Sequence, residues 1–231
     1  LRRLVSRSFT PRRVAGLEPR LEEILAELLD PLVERGEVEV MSELAYPFPA
    51  RVICELIGVP PSDWHHIVDH APGLAAGLDP GPFLTREGAA AANEATVALV
   101  DYLEHLVAAR RDRPGDDLLS DLLAVHEGDD DALSGEELID VVLLLLIAGH
   151  ETTANLLGNG LVALLDQPDA LRELRADPGL DAVAVDELLR LDGPVQMTLR
   201  IATEDLDVAG HRIGAGSVVV CCTGAANHDD A

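Results

Sequence analysis

The chain has 231 residues, 48% of them hydrophobic and 3% aromatic, and a formal net charge of −25. That length and apolar content exclude a disordered chain and suit a single domain whose core is packed mainly by Leu, Val and Ala. The acidity excludes a general nucleic-acid partner, because a polyanion would be repelled.

The first twenty residues hold Arg2, Arg3, Arg7, Arg12, Arg13 and Arg20, in a chain with no lysine. This basic start reads as a solvated helix face, with a docking surface as the alternative. No charged-then-apolar signal segment opens the chain. Leu17, Leu21, Ile24, Leu25, Leu28 and Leu29 share one helical face, so Leu17 to Leu32 is predicted helical. Ala50 to Ile57 is a second helix, ended by Gly58 and Pro60-Pro61, and Ser62 starts a third. The Gly- and Pro-rich stretch Ala71 to Pro82 predicts a loop, and helix resumes from Thr85 to Arg111. Glu127 to Asp131 reads as a turn or surface loop.

Ser134 followed by Glu137 is a capping box, and no stop signal occurs before Asp166-Gln167-Pro168. One helix of about 45 Å follows, at 1.5 Å per residue. It is so apolar that it must run through the middle of a domain. Its longest wholly apolar run, Val141 to Gly149, is too short to span a bilayer. Helices Pro168 to Ala176 and Leu180 to Leu191 come next. After Gly193-Pro194 the short segments Met197 to Thr203, Leu206 to Val208, Arg212-Ile213 and Ser217 to Thr223 predict strands, with turns at Gly210 and Gly214 to Gly216. The expected architecture is mainly α (α+β): a helical body around a long central helix, then a small β region. The three cysteines, Cys54, Cys221 and Cys222, form no disulfide framework and suit a reducing cytoplasm.

The run Leu143 to Leu157 is broken by Ala148-Gly149-His150-Glu151-Thr152-Thr153. An acid and an alcohol inside an apolar helix are costly unless something uses them. A hydroxyl in a dry pocket can bond oxygen and pass it a proton, while the neighbouring acid connects to solvent. The bland alternative is a threonine bonded back to its own helix and an acid paired with an arginine. His150-Glu151 also opens a zinc-protease motif, which fails because position 154 is Ala154. Glu187 and Arg190 share a helix face, and Val183, Leu188 and Leu191 argue that their pair is buried. His65, His66, Asp69 and His70 include metal-ligand spacing at His66 and His70, but nothing nearby completes a site, so a polar helix face is the simpler reading. Cys221 and Cys222 read as core or edge strand residues.

Together, Ala148 to Thr153 and Glu187-Leu188-Leu189-Arg190 resemble the cytochrome P450 family, specifically its soluble bacterial members. The resemblance covers essentially the whole chain, from the C-helix region at Leu1 to Pro11 through the strands at Asp205 to Asn227. It implies one partial domain over residues 1–231, with haem b as cofactor. Thr152 and Glu151 would be the catalytic residues, steadying oxygen and delivering protons. Ala148 and Gly149 would line the oxygen groove over the haem. Arg200 and Arg2 would bind the haem propionates, for which a planar, permanently charged guanidinium is suited. Glu187 and Arg190 would form a buried structural ion pair.

The family's metal ligand, a cysteine in a Gly-containing loop, is expected after Asn227-His228, and the chain stops at Ala231. None of the chain's residues is therefore assigned as metal ligand, and the chain reads as an internal, catalytically inactive fragment with exposed apolar surface. The parent protein would be a haem-thiolate monooxygenase that hydroxylates or epoxidises a small organic substrate with O2. Its electrons would come from a ferredoxin-type donor, it would be cytoplasmic, and it would use neither nucleic acid nor membrane. Leu74 to Thr96 would lie in a lid region that shapes substrate choice. A non-catalytic helical small-molecule binding protein is the alternative.

Overall fold

Ser134 and Glu137 close the reciprocal cap foreseen for the longest helix: the Ser134 amide donates to Oε2 of Glu137 at 2.7 Å, and the Glu137 amide donates to Oγ of Ser134 at 3.1 Å. The computed structural model describes residues 11–77, 84–128 and 134–229. In chain order the helices are α1 (Pro11–Gly16), α2 (Glu18–Arg35), a π-helical turn (Met41–Ala45), α3 (Pro47–Ile57), α4 (Trp64–Ala76), α5 (Arg86–Asp112), α6 (Leu118–Gly128), α7 (Gly135–Asp166), α8 (Pro168–Ala176) and α9 (Asp181–Asp192). Strands β1 (Thr198–Ile201), β2 (Leu206–Val208), β3 (His211–Ile213) and β4 (Val218–Cys221) follow, then the short α10 (Thr223–Asn227). The mainly α architecture with a small β region is thus observed. The chain divides into two compact units, Leu1–Ala154 and Asn155–Ala231, with the division inside α7.

The first unit holds a continuous apolar core. Leu99, Leu103, Leu106 and Val107 of α5 recur at helical spacing and pack with Trp64, Ile67 and Leu74 of α4. Ile53, Leu56 and Ile57 of α3, Leu118, Leu119 and Leu122 of α6, and Leu138, Val142 and Leu146 of α7 complete it. Among the described residues α7 is the one helix long and apolar enough to cross a membrane. Its first half instead spends its apolar side chains on this core.

An ion pair locks three of these helices. Arg110 Nε donates to Oδ2 of Asp117 at 2.6 Å, and Arg110 Nη2 donates to the Gly58 carbonyl at 2.5 Å. Oδ1 of Asp117 also accepts from the Ser120 amide at 2.8 Å, capping the start of α6. Gly58, at φ +92°, ends α3 in the left-handed region, and a Cβ there would overlap the Asp117 carboxylate.

Two segments differ from expectation. Ala71 to Ala76, predicted as loop, is the last part of α4; 78–83 lies outside the described residues. Gly73 serves close packing rather than a turn, since a Cβ there would meet the Ala91 carbonyl and the Ala95 methyl of α5 at 2.9 Å. The described parts of the expected lid, Leu74–Gly77 and Leu84–Thr96, are accordingly mostly packed helix. Glu127 and Gly128, read as turn, end α6, and 129–133 lies outside the described residues.

In the second unit β1 pairs antiparallel with β4, Thr198 opposite Cys221, and β2 pairs antiparallel with β3, Leu206 opposite Ile213. The β2–β3 turn has positive φ at both Ala209 (50°) and Gly210 (79°), as a two-residue hairpin requires. β2 has its predicted bounds and β3 gains His211, but β1 and β4 are shorter than predicted: Thr223 belongs to α10, and Cys222 lies past the end of β4. Cys221 and Cys222 are both exposed, so neither is a core residue. Ala163, Leu164, Leu174, Val183, Leu188 and Leu191 line an apolar groove of about 360 Å³.

Candidate functional site

The turn Ala148 to Thr153 falls near the middle of α7, where the helix stays unbroken. Leu146, His150 and Ala154 point into the core of the first unit, four residues apart. On another face, also four apart, stand Leu144, which is 55% exposed, Ala148, exposed, and Thr152, half-buried. The helix thus presents a small, apolar strip with one hydroxyl at its end. Thr152 Oγ1 donates to the Ala148 carbonyl at 2.6 Å, the back-bonded geometry of the bland alternative. That bond occupies the hydroxyl proton and leaves the oxygen's lone pairs available to accept.

Glu151 is half-buried and, with His150, lines a small cavity closed by Ile67, Ala71 and Leu74 of α4. Gly149 faces elsewhere than expected. A Cβ at this position would point at Cδ1 of Ile53, 3.2 Å away, so the glycine lets α7 approach α3. Of the residues expected to line a groove, Ala148 lies on the open strip and Gly149 on the packed side.

His150 was not singled out in the sequence except as half of a failed zinc motif. It is 3% exposed, and its Nε2 lies 3.1 Å from the Tyr46 carbonyl oxygen. The Tyr46 and His150 rings are 5.7 Å apart. Burial lowers the imidazole's pKa, against the opposing pull of the Glu151 carboxylate and the Tyr46 carbonyl. Its signal in the sequence is a polar residue on the buried stripe of an apolar helix.

In the second unit Glu187 and Arg190 do pair, in bidentate fashion: Nη2 to Oε1 at 2.6 Å and Nε to Oε2 at 2.7 Å. The third guanidinium nitrogen, Nη1, donates to the Asn227 carbonyl at 2.8 Å, tying α9 to the end of α10. The hydrogen bond from Arg190 holds the Glu187 carboxyl below the ordinary range and raises the guanidinium in turn. The expectation of a buried pair is corrected, because the side chains are 57% and 45% exposed. Arg200 stands on β1, exposed, its Nη1 donating to the Leu199 carbonyl at 2.8 Å; among the described residues it makes no ion pair. Arg2 lies outside the described residues.

The other candidates do not assemble. No group of three metal-binding side chains occurs among the described residues. His65 and His70 bond the backbone carbonyls of Ser62 and His66 through Nδ1, and His66 stacks on Tyr102. Burial pushes the Cys54 thiol up to about 12, so it stays protonated and is a core residue rather than a thiolate.

A family model described as Cytochrome P450 matches residues 62–177. The vitamin D(3) 25-hydroxylase of Pseudonocardia autotrophica is 46% identical over 230 residues, covering 99% of this chain and 55% of that protein. The 6-deoxyerythronolide B hydroxylase of Saccharopolyspora erythraea is 41% identical over 229 residues, with 99% and 55% covered. Among solved structures, P450BioI in complex with hexadec-9Z-enoic acid ligated acyl carrier protein superposes with a TM-score of 0.91 at 37% identity, covering 98% of this chain and 58% of that one. The chain spans just over half the length of the curated relatives it matches.

Proposed function

The chain belongs to the cytochrome P450 family, and from that membership we propose that the whole protein is a haem-thiolate monooxygenase. It would insert one oxygen atom from O2 into a small organic molecule, by hydroxylation or epoxidation. The observation that carries this is the strip on α7, where Ala148 and Leu144 stand outward beside the Thr152 hydroxyl and the half-buried Glu151.

The residues present suit haem b. Leu144 and Ala148 offer a flat apolar ring a small, greasy helix face. Arg200, exposed and without a carboxylate partner among the described residues, suits a propionate, and Arg2 is proposed for the second. The axial thiolate is assigned to none of the chain's three cysteines. When bound, haem supplies a redox-active iron that activates O2.

The chain's own residues hold and move protons. Thr152 Oγ1 donates its hydrogen bond to the Ala148 carbonyl, so its lone pairs can accept a hydrogen bond from a donor on the strip. Rotation of the hydroxyl away from Ala148 would turn its hydrogen toward the strip, where it could pass on one proton as it receives another, remaining a neutral alcohol. Glu151, one residue earlier, is proposed to resupply protons from the solvent side.

One relative is named for vitamin D(3) and another for 6-deoxyerythronolide B, which favours an apolar or polyketide-like substrate here. The alternative of a non-catalytic binding protein draws no support from relatives named as hydroxylases. A ferredoxin-type donor and a cytoplasmic location complete the proposal, the arginine-rich start being suited to an acidic partner. The carbon monoxide difference spectrum of the haem-loaded whole protein tests the reading. A thiolate-type band is expected; a histidine-type band, or no haem binding, contradicts it.

A further inference from the structure

Among the described residues, His150 is a histidine buried in the core of the first unit. His150 precedes the Glu151-Thr152 pair directly and reaches away from it into the core. Its partner is unusual. The Tyr46 carbonyl sits where the π-helical turn Met41–Ala45 passes into α3. Within its own helix that carbonyl receives only a long bond, from the Ala50 amide at 3.4 Å. His150 supplies a better one at 3.1 Å. A carbonyl can only accept, so Nε2 must carry the proton, and the ring must be in that tautomer. On the adjacent residue the Gly149 backbone rests against Ile53 of α3.

We propose that His150 is a positioning residue for the proposed oxygen chemistry, pinning the Ala148–Thr153 turn of α7 to the π-helix–α3 junction through the Tyr46 carbonyl. Two neighbouring contacts, one polar at Tyr46 and one steric at Ile53, fix both the rotation and the height of the turn. One residue on a helix subtends about 100°. Fixing His150 inward therefore fixes where Glu151 and Thr152 point. A leucine at this place would fill the core but could slide; a directional hydrogen bond to a fixed carbonyl cannot. Burial favours the neutral imidazole, and the Tyr46 carbonyl selects its Nε2-protonated tautomer.

This inference rests on the monooxygenase reading, and its test separates the two. The experiment uses the haem-loaded whole protein with His150→Phe, which keeps volume and loses the donor, and His150→Gln, whose amide nitrogen can reach the same carbonyl. The infrared stretch of carbon monoxide on the reduced protein reports the polarity and order around Thr152 without turnover. In His150→Phe the band is expected to shift or split, and peroxide release per electron pair to rise about three- to tenfold. His150→Gln is expected to restore both toward the native values. An unchanged band and coupling in His150→Phe overturn the proposal, as does an equal defect in both variants. If His150→Phe does not fold, the native protein decides. The ring nitrogen spectrum of its reduced, carbon monoxide form must show Nε2 protonated at neutral pH, and protonation at Nδ1 alone overturns the assignment. Absence of a thiolate-type band in the native protein would instead count against the monooxygenase reading itself.

Discussion

The two units put similar apolar sequence to different use. In Leu1–Ala154, large side chains such as Leu99, Leu103, Leu118, Leu119 and Leu138 are fully buried. In Asn155–Ala231, only Gly160 and Ala202 are buried among the described residues, while Val162, Val183, Ile201 and Val218 are each more than 60% exposed. Periodicity built the elements in both units, but it placed a closed core in only one. A helix-forming pattern states which face seeks cover; it does not state what supplies it. The turn proposed to carry the chemistry sits at the last residues of the closed unit, backed by its core, which is where a preorganised hydroxyl and carboxylate would belong.

The contrast can be broken most sharply at Asp117. Asp117→Ala leaves Arg110 partly buried without its partner and uncaps α6, and should cost about 3–5 kcal/mol in chemical denaturation; a loss below about 1 kcal/mol would show the ion pair to be ornamental. Leu122→Ala in the closed core should cost about 2–5 kcal/mol. Val183→Ala in the open unit should change stability by no more than about 0.5 kcal/mol. Equal costs at these two positions would mean that the open unit is covered in solution.

A smaller effect concerns pH. The folded pKa of His150 is lowered, so between that value and the unfolded value of about 6.5 the unfolded chain holds a proton that the folded chain lacks. Stability should therefore fall as pH drops below about 6.5, and His150→Gln should remove that part of the slope. The depressed carboxyls, Glu39, Glu43, Asp63, Glu187 and Asp205, act in a separate window. Their stabilisation is present above about pH 4.5 and lost as pH falls through their folded values. A small effect is also expected for Gly149→Ala. Its Cβ would press on the movable end of Ile53 at 3.2 Å, while the gain in helix propensity is about 1 kcal/mol. Net stability should stay within about 1 kcal/mol of the native chain in the same denaturation assay.

What could be read from sequence was local. Ser134 and Glu137 are three apart and announced the cap of α7 by themselves. The Glu187–Arg190 pairing was equally legible, but its exposure depends on neighbours that spacing does not encode. Arg110, Asp117 and Gly58 could not be found, since one contact spans 52 positions. Pro72 and Gly73 suggested a loop because their usual meaning is conformational, whereas here glycine serves the approach of α5 to α4. At the site, the sequence marked Glu151 and Thr152 through the cost of polar groups in an apolar helix. It missed the role of His150, whose partner is a backbone atom 104 positions away.

The most direct measurement is the peroxide released per electron pair by Thr152→Ala in the haem-loaded whole protein, against the native protein. If the hydroxyl that now bonds the Ala148 carbonyl handles protons for oxygen chemistry, the variant should keep drawing electrons and divert most of them to peroxide. Native coupling in Thr152→Ala would contradict the account.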